Sequence, residues 1–396
     1  MGTFQQQNIN RVVVRGTNWV GDAVMTVPAL RGLRRLLPGV HITLATRPWA
    51  KELFADADFL DDLLIYDRRG PWSVAKQSVE WRRGNFDLAV LFPNALEAAL
   101  IPALARVPFR IGYATDGRGR LLTNPVPVPE WRSSKHEIFY YLNIVAELER
   151  ALVGHAQIAD GPPDASLHIS EPRQSEALDL LRAHGLREGR VFHRSGAAPL
   201  GTPAVVALCP GSINSRAKRW PAERYGALAD SLIDELNAEV LLIGSPGELD
   251  VSREVSLRMH HEPIMMTGKT SLAQVAAVLS LVDLLVTNDT GPAHIASALG
   301  RPTLVIFGPT NPFTTRPFSP VGEIVRYPPD CAPCMLRDCP IDHRCMTGIS
   351  VQDVFERARL LLGRNTLAPE ATQSLSRNEV KSFSNALGYT SVPSQK

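Results

Sequence analysis

The sequence predicts an α/β protein made of two doubly wound, Rossmann-like domains that face each other across a cleft. Three observations support this prediction. The chain has 396 residues, apolar strand-like runs alternate with helical patterns, and the second half restarts with the same succession of elements as the first. A chain of this length with 44% hydrophobic residues exceeds what one core usually serves. Strands that alternate with helices are typical of parallel sheets covered by helices.

The first half opens as a βαβ unit. RVVVRG (11–16) predicts a buried strand, the apolar-periodic segment 22–37 predicts a helix, and VHITLATR predicts the next strand. Further buried strands are predicted from FDLAVLF (86–92) and FRIGYA (109–114).

The second half repeats this order after a segment rich in Gly, Pro, Arg and Ala. AVVALCPG (204–211) predicts a strand, 222–236 a helix, and AEVLLIG (238–244) the next strand. The C-terminal segment is polar and aperiodic, which is typical of disorder. We therefore predict an N-terminal domain over 1–185, a linker over 186–203, a C-terminal domain over 204–365 and a disordered tail over 366–396.

Composition and charge limit the classes of function. The chain carries 42 Lys and Arg against 40 Asp and Glu, but residues 1–135 carry 18 against 12, a balance of 18 − 12 = +6. This basic half suits an anionic ligand, although a solvated surface with scattered arginines explains it equally, and no nucleic acid is required. The N-terminus lacks a secretory signal, and no segment approaches the ~18 apolar residues that cross a bilayer. We expect a cytoplasmic protein.

The segment NDTGPAHIASALG (288–300) joins a predicted strand to a predicted helix. Asp289, Thr290 and Gly291 therefore follow the carboxyl end of a strand, where open α/β sheets bind ligands. Free amides at a helix N-terminus attract phosphate oxygens, whereas a carboxylate is better suited to the hydroxyls of a sugar. His294 lies in the first helical turn. The alternative, in which Asp289 only caps the helix and His294 lies at the surface, stays open.

Two further loops follow strands of the same predicted sheet. CPGSINSRAKRWPAERY places Ser212, Ser215 and Lys218 where hydroxyl groups and a compact cation can hold a diphosphate. GSPGELD places Glu248 where its carboxylate can accept hydrogen bonds from a ribose. Together with the helix start, these loops predict a site for a sugar nucleotide.

The chain resembles the bacterial lipopolysaccharide heptosyltransferases of glycosyltransferase family 9. Three segments carry the resemblance, RGTNWVGDAVMTVPALRGLRRLLPG, PGSINSRAKRWPAERY and NDTGPAHIASALGRPTLVIFGPTNP, and it extends from about residue 11 to 362. The resemblance implies a glycosyltransferase B fold, an ADP-heptose donor in the C-terminal domain, and an inner-core lipopolysaccharide acceptor of the Kdo2–lipid A type in the N-terminal domain. It implies transfer with inversion to the inner-core heptose, although the specificity of the first or third heptosyltransferase type stays open. Peripheral contact with the inner face of the inner membrane would follow from the lipid anchor of the acceptor.

Asp22, in the segment WVGD, is the catalytic residue that the resemblance implies. The matching acid of the family acts as the general base that removes the proton of the acceptor hydroxyl. On position alone, a helix N-cap is an equal alternative. Gly21 beside it would let the backbone approach the acceptor. Pro28 cannot bond to the carbonyl of Val24, which predicts a kink near that residue.

Arginines of the N-terminal half are candidates for contacts with the acceptor or the membrane. Arg118 and Arg120, in DGRGRLL, are predicted to contact the acceptor. Arg31, Arg34 and Arg35 fit either a solvated helix face or a patch that approaches the membrane. We predict that no cofactor is required, because cations and helix amides can stabilise the departing ADP. Magnesium that arrives with the diphosphate stays open as an alternative.

A cluster of cysteines, CAPCMLRDCPIDHRC, lies near the end of the second half. Cys331, Cys334, Cys339 and Cys345, with His343 between the last two, could bind a structural zinc ion. The spacing of the second pair is unusual for zinc, so a loop of reduced thiols is the alternative.

Two other classes of function compete with a heptosyltransferase. A nucleotide-sugar epimerase of the same fold would need acid and base groups at the donor sugar, for which only Asp22 and His294 are available. A binding protein derived from a transferase would have no need to keep Asp22, Lys218 and Asp289 together. An assay with and without an acceptor separates the two enzymes.

Overall fold

The computed structural model describes residues 9–67, 70, 72–187 and 202–365. The chain divides into two compact units, Met1–Ser166 and Leu167–Lys396. Most of the predicted linker 186–203 and all of the predicted tail 366–396 lie outside the described residues. Among the helices in these ranges, none is both long and apolar enough to cross a membrane.

The division between the units lies earlier than the predicted boundary after residue 185. Helix Glu171–Ala183, which we expected in the N-terminal domain, belongs to the second unit and packs against helix Leu272–Leu279. At the division itself, the Leu167 amide donates a hydrogen bond to the Ala298 carbonyl at 2.8 Å. The boundary therefore does not lie in the segment 186–203, where the composition predicted it, because the amphipathic helix before this segment covers the second unit.

The first unit contains a parallel sheet of six strands in the order β3-β2-β1-β4-β5-β6. The winding reverses between β1 and β4, which makes the carboxyl ends of these two strands the switch point where such sheets bind ligands. The strands are β1 (Arg11–Arg15), β2 (His41–Thr46), β3 (Asp62–Ile65), β4 (Leu88–Leu91), β5 (Phe109–Tyr113) and β6 (Asn124–Val126).

Helices cover this sheet, and Trp81 and Phe86 belong to a buried cluster on one of its faces. The kink predicted from Pro28 is observed as a break at Thr26 between two helices, because the proline has no N–H to continue the hydrogen-bond pattern. The helices are α1 (Val20–Met25), α2 (Val27–Leu36), α3 (Pro48–Leu53), α4 (Ser73–Arg83), α5 (Leu96–Leu104) and α6 (Glu137–Val153), with short 3₁₀ turns at Arg118–Leu121 and Glu130–Ser133.

The second unit repeats the strand order of the first. Its parallel sheet has the order β12-β11-β10-β7-β8-β9, so that β7 and β10 form the switch point in the same way as β1 and β4. Strands β7, β10 and β11 are buried along their whole length. The strands are β7 (Val205–Cys209), β8 (Glu239–Leu242), β9 (Ile264–Met265), β10 (Leu284–Asn288), β11 (Thr303–Phe307) and β12 (Gly322–Arg326).

A large buried cluster of this unit joins β7 and β10 to the helix after β7 and to the last of the described helices. The helices are α7 (Glu171–Ala183), α8 (Ala222–Leu236), α9 (Leu249–Arg258), α10 (Leu272–Leu279), α11 (Gly291–Ala298), α12 (Pro312–Thr315), α13 (Arg344–Thr347) and α14 (Val351–Asn365), with 3₁₀ turns at Arg216–Lys218 and Pro246–Glu248.

The predicted fold class is confirmed for both units. Every strand predicted from sequence encloses an observed strand, and the helix predicted over 222–236 has the same bounds as α8. The short βαβ unit predicted around 288–300 is observed as β10, α11 and β11. Apolar runs bounded by glycine and polar residues were sufficient to predict these strands, because buried parallel strands are apolar on both faces.

Candidate active site

A buried amide organises the switch point of the second unit. The Asn288 Nδ2 group donates to the carbonyls of Pro210 (2.8 Å) and Gly211 (3.2 Å), which follow β7. Its Oδ1 atom accepts from the Trp220 amide and the Tyr225 hydroxyl, both at 3.1 Å. Because Asn288 is fully buried and all of these bonds are made, the side chain holds the loop after β7 against the end of β10.

The next residue, Asp289, brings together a cation and a hydroxyl group. Lys218 Nζ lies 2.8 Å from Asp289 Oδ2 and 3.2 Å from its carbonyl oxygen. Thr310 Oγ1 donates to the same Oδ2 atom at 2.7 Å. The Asp289 side chain is 6% exposed and that of Lys218 is 25% exposed. The cation therefore lies at the carboxyl end of the sheet, partly open to a ligand, beside a carboxylate that can accept hydroxyl groups.

The start of α11 lies beside this pair. Thr290 occupies the N-cap position and Gly291 is the first residue of the helix. The cap is therefore Thr290, and the alternative in which Asp289 only caps the helix is wrong. His294 is 6% exposed, so the alternative of a surface histidine is also wrong. Burial lowers the pKa of His294 to about 4, with Lys218 acting in the same direction and Asp289 against it, so the imidazole is neutral at pH 7.

The two predicted serines are both buried but differ in their contacts. The Ser215 hydroxyl donates to the carbonyl of Arg337 at 3.1 Å, so it connects the loop after β7 to a distant segment. The Ser212 carbonyl accepts from Arg219 Nη2 at 2.9 Å, which fixes the backbone beside its hydroxyl. Ser212 remains the better candidate for a direct contact with a ligand.

Glu248 lies after β8, and its carboxylate is held in place. Its Oε2 atom accepts from the Ser245 amide (2.8 Å) and hydroxyl (2.7 Å). The side chain packs against Gly211 so closely that a Cβ at Gly211 would overlap with Oε1. In the part of the chain that the structure describes, Oε1 has no hydrogen-bond donor, so it is available for hydroxyl groups of a ligand.

Asp22 lies at the switch point of the first unit. It is half-buried and occupies the third position of α1, directly after Gly21, whereas Trp19 takes the N-cap position without a side-chain bond. The N-cap alternative for Asp22 is therefore wrong. Helix α1 packs against α6. Burial, and then the charge of Asp22, raise the pKa of the Tyr141 phenol on α6.

Comparison with known proteins identifies the family. A model of glycosyltransferase family 9 (heptosyltransferase) matches residues 75–344. The chain belongs to this family. It is similar to lipopolysaccharide heptosyltransferase 2 of Escherichia coli, with 27% identity over 80% of this chain and 88% of that protein. It is also similar to the lipopolysaccharide core heptosyltransferase OpsX of Haemophilus influenzae, with 34% identity over 77% of this chain and 81% of that protein.

A solved structure supports the fold. The E. coli ADP-heptose lipopolysaccharide heptosyltransferase II structure is similar with a TM-score of 0.73 and 24% identity, covering 90% of this chain and 100% of that one. The chain therefore has the glycosyltransferase B fold. Membership of family 9 makes the protein a glycosyltransferase, rather than the epimerase or the binding protein considered as alternatives.

The prediction that Arg118 contacts the acceptor of this family 9 enzyme is wrong. Arg118 is fully buried, and its guanidinium group donates to the carbonyls of Tyr113 (2.8 Å), Ala95 (3.3 Å) and Pro93. Burial lowers its pKa to about 10, so it still carries its charge at pH 7. The side chain holds the loop after β4. Arg120, two residues later, is exposed and stays a candidate for acceptor contact.

The arginines of α2 are largely engaged within the first unit. Arg31 Nη1 lies 3.1 Å from Asp58 Oδ1, and Arg34 pairs with Asp61. These ion pairs reduce the positive charge that the helix presents. They favour the solvated-face alternative over a patch that approaches a membrane.

The cysteines do not form a metal site in this structure. Within the described ranges, all five cysteines are free, and no group of three or more His, Cys, Asp or Glu side chains is placed to hold a metal ion. Burial, and then the three neighbouring thiols of the cluster, raise the pKa of Cys345 to about 11. A Cys345 thiol with this pKa is protonated at pH 7.

Two residues of the second site, Asn288 and Thr310, were not predicted from sequence. Both lie in segments that carried the family resemblance: Asn288 is the last residue of β10, and Thr310 follows β11 after Gly308 and Pro309. The carboxyl ends of adjacent parallel strands lie at the same edge of a sheet, so these positions could have been found. Their partners could not, because Trp220 and Tyr225 are distant in sequence from Asn288.

Proposed function

We propose that the protein moves a heptose from ADP-heptose to the inner-core heptose of lipopolysaccharide with inversion of the anomeric centre. The observation that carries the proposal is the group of Lys218, Asp289 and Thr310 at the switch point of the second unit. The names of the similar heptosyltransferases from E. coli support the donor and the acceptor.

The donor would bind to the second unit through its diphosphate and its hydroxyl groups. Lys218 is a compact cation suited to a phosphate oxygen, and the amides of Thr290 and Gly291 at the start of α11 add partial positive charge. Asp289 and Glu248 would accept hydrogen bonds from heptose and ribose hydroxyls, respectively. His294 is buried and neutral at pH 7, so it adds no second positive charge for the phosphates beside that of Lys218.

Asp22 would act as the general base in the transfer. As the acceptor oxygen bonds to the anomeric carbon, the bond from that carbon to the diphosphate oxygen breaks, and the hydroxyl proton passes to the Asp22 carboxylate. ADP leaves with the electron pair of the broken bond, and Lys218 and the α11 amides stabilise its new charge. Asp22 lies in the first turn of α1, where the partial positive charge of a helix N-terminus favours a negatively charged carboxylate.

The acceptor would bind to the first unit near Gly21 and Arg120. The exposed Arg120 suits the acidic, phosphorylated sugars of the inner core, because a guanidinium forms paired hydrogen bonds with phosphate and carboxylate groups. Since the acceptor is anchored in lipid, we place the enzyme in the cytoplasm, in peripheral contact with the inner face of the inner membrane.

We expect transfer without a resident metal ion or cofactor, because Lys218 and the amides of Thr290 and Gly291 can neutralise the leaving group. Magnesium that binds ADP-heptose in solution would only accompany the donor. Activity should therefore change by less than about 2-fold when EDTA replaces magnesium; a larger loss that magnesium restores would contradict this expectation.

The decisive experiment screens sugar nucleotides for thermal stabilisation of the protein, followed by product analysis. We expect ADP-heptose to raise the melting temperature more than UDP- or GDP-sugars. Heptose should then pass to an inner-core acceptor that already carries one heptose, and product analysis should show the inverted linkage. Preference for an acceptor without heptose would assign the first heptosyltransferase specificity instead. Failure of ADP-heptose to bind would overturn the proposal.

A further inference from the structure

The cysteine segment, defined as residues 331–346, contacts the loop that joins β7 to α8, called the donor loop below, at the residue before Lys218. The Ala217 amide donates to the Arg337 carbonyl at 2.9 Å. The Ala217 carbonyl lies 2.6 Å from Nε2 of His343. Both polar groups of this buried alanine are therefore bonded to one segment, which lies more than a hundred residues away in sequence.

The same segment contacts the loop on the other side of Asp289. The Met335 amide donates to the Pro309 carbonyl at 2.9 Å. Cys345 and Met346 are buried, and Met346 fills the space beside Gly308, where a Cβ would overlap with its sulfur. The residue after Pro309 is Thr310, whose hydroxyl donates to Asp289.

Lys218 and Thr310 both bond to Asp289 Oδ2, and the cysteine segment contacts the backbone next to each of them. It bonds to Ala217 beside Lys218 and to Pro309 beside Thr310. The Ser215 hydroxyl adds a further bond to Arg337, at 3.1 Å, at the start of the same turn. None of these contacts needs a metal ion or a disulfide.

We propose that the cysteine segment is a brace that sets the position of Lys218, and that His343 is its positioning residue. The proposal rests on the function proposed above, in which Lys218 binds the diphosphate of the donor. A short 3₁₀ turn, Arg216–Lys218, has little structure of its own to fix a lysine. The external bonds to Ala217 supply that constraint, and they reduce the conformational freedom that donor binding would otherwise have to remove.

The hydrogen bond fixes which nitrogen of His343 carries the proton. A carbonyl oxygen only accepts, so Nε2 must donate to Ala217. The charged imidazolium keeps this N–H, so protonation does not break the bond.

The test compares His343→Ala with His343→Gln, whose side-chain amide can still donate, and with Asp342→Asn as a control. Asp342 is exposed in the same segment, and its carboxylate pairs with Arg344 rather than with the donor loop. The readouts are the Kd for ADP by calorimetry, and the KM for ADP-heptose and kcat in the transfer assay.

We expect His343→Ala to weaken ADP binding about 5- to 20-fold, as for the loss of one hydrogen bond that positions a charged group. The KM for ADP-heptose should rise in parallel while kcat and the KM for the acceptor stay within about 2-fold, a split that general destabilisation does not produce. His343→Gln should recover most of the affinity, and Asp342→Asn should match the parent protein.

A double variant tests whether His343 acts through the lysine. In a Lys218→Ala background, His343→Ala should cause no further loss of ADP affinity, because the group that it positions is gone. Additive losses would overturn the brace, as would a single His343→Ala variant that binds ADP as the parent does. If the parent protein transfers heptose but the variants give either of these two results, only the brace is refuted. If the parent protein does not bind ADP, both proposals are refuted.

Discussion

The two units share one strand order, but the groups at their switch points differ. In the second unit, the loops after β7, β10 and β11 carry a cation, a carboxylate and a hydroxyl group, and the cation and the hydroxyl are both hydrogen-bonded to the carboxylate. In the first unit, the ends of β1 and β4 carry the half-buried Asp22 and the loop held by Arg118. The topology sets where a ligand can bind, and under the proposed function the side chains decide whether that place binds a diphosphate or supplies a base.

Each switch point is nevertheless held by one buried side chain that donates to backbone carbonyls. Asn288 does this for the loop after β7, and Arg118 does it for the loop after β4. The amide can also accept, so Asn288 joins two further groups, whereas the guanidinium only donates. The second site is thereby cross-linked more densely than the first.

The largest effect should come from the acid of the first unit. We predict that Asp22→Asn lowers kcat by about 10²- to 10⁴-fold, because the amide cannot take the proton of the acceptor hydroxyl. ADP affinity and the melting temperature should not change, since the donor groups lie in the other unit. Steady-state kinetics and calorimetry measure these quantities. Asp62→Asn, on the exposed edge strand β3, is the matched control. Turnover within a few-fold of the parent would remove Asp22 from the reaction.

The next largest effect should come from the cation of the second unit. Lys218→Ala should weaken ADP binding by roughly 10- to 100-fold, the range for hydrogen bonds to charged groups. It also leaves Asp289 without its ion-pair partner, so the melting temperature should fall. Arg253→Ala, which removes a cation from the surface of α9, provides the comparison. Unchanged affinity for ADP in titration calorimetry would mean that the diphosphate binds elsewhere.

Two arginines of the first unit separate structural from binding roles. Arg118→Met should lower the free energy of unfolding by roughly 2–4 kcal/mol, because several buried carbonyls lose their donor. Arg120→Ala should leave stability within about 0.5 kcal/mol and raise the KM for the acceptor about 3-fold. Urea unfolding and acceptor titrations check both. The opposite pattern, with Arg118→Met stable and poor in acceptor binding, would restore the original prediction for Arg118.

The smallest effect concerns the pH dependence of the second unit. The pKa of His294 is about 4 in the folded protein, against an ordinary value of ~6.5 in the unfolded chain. Between these values the unfolded chain binds a proton that the folded protein does not, so stability falls as the pH decreases from about 6.5 towards 4. The loss should be about 1–2 kcal/mol at pH 5 relative to pH 7. In His294→Asn this part of the pH dependence should be absent from urea unfolding curves; an unchanged slope would refute a buried, neutral His294.

Sequence patterns were sufficient for the strands and for most of the second site. The loop after β7, Asp289 and the start of α11 all follow apolar strands directly, so their place at one edge of the sheet could be predicted. The role of Arg118 could not be predicted from the sequence. A glycine-flanked arginine in a polar segment has the pattern of a surface loop, and only the tertiary structure brings the carbonyls after β4 around it.

The domain boundary and the cysteine segment show the same limit. Helix α7 has the composition of an exposed surface helix, and nothing in its sequence indicates which sheet it covers. The spacing of the cysteines suggested a metal, whereas the contacts that matter are made by His343 and by backbone groups of Arg337 and Met335. Backbone hydrogen bonds over such distances leave no trace in residue type.

The contact between Gly211 and Glu248 limits how this enzyme can change its specificity. The carboxylate fills the volume that any larger residue at position 211 would need. If Glu248 is replaced by a smaller residue, position 211 has room for a side chain beside the proposed nucleoside site. A side chain at position 211 in turn requires that Glu248 is replaced first. The two positions should therefore be exchanged as a pair, and libraries that aim at a different base or sugar on the donor will find productive variants only when both are randomised at once.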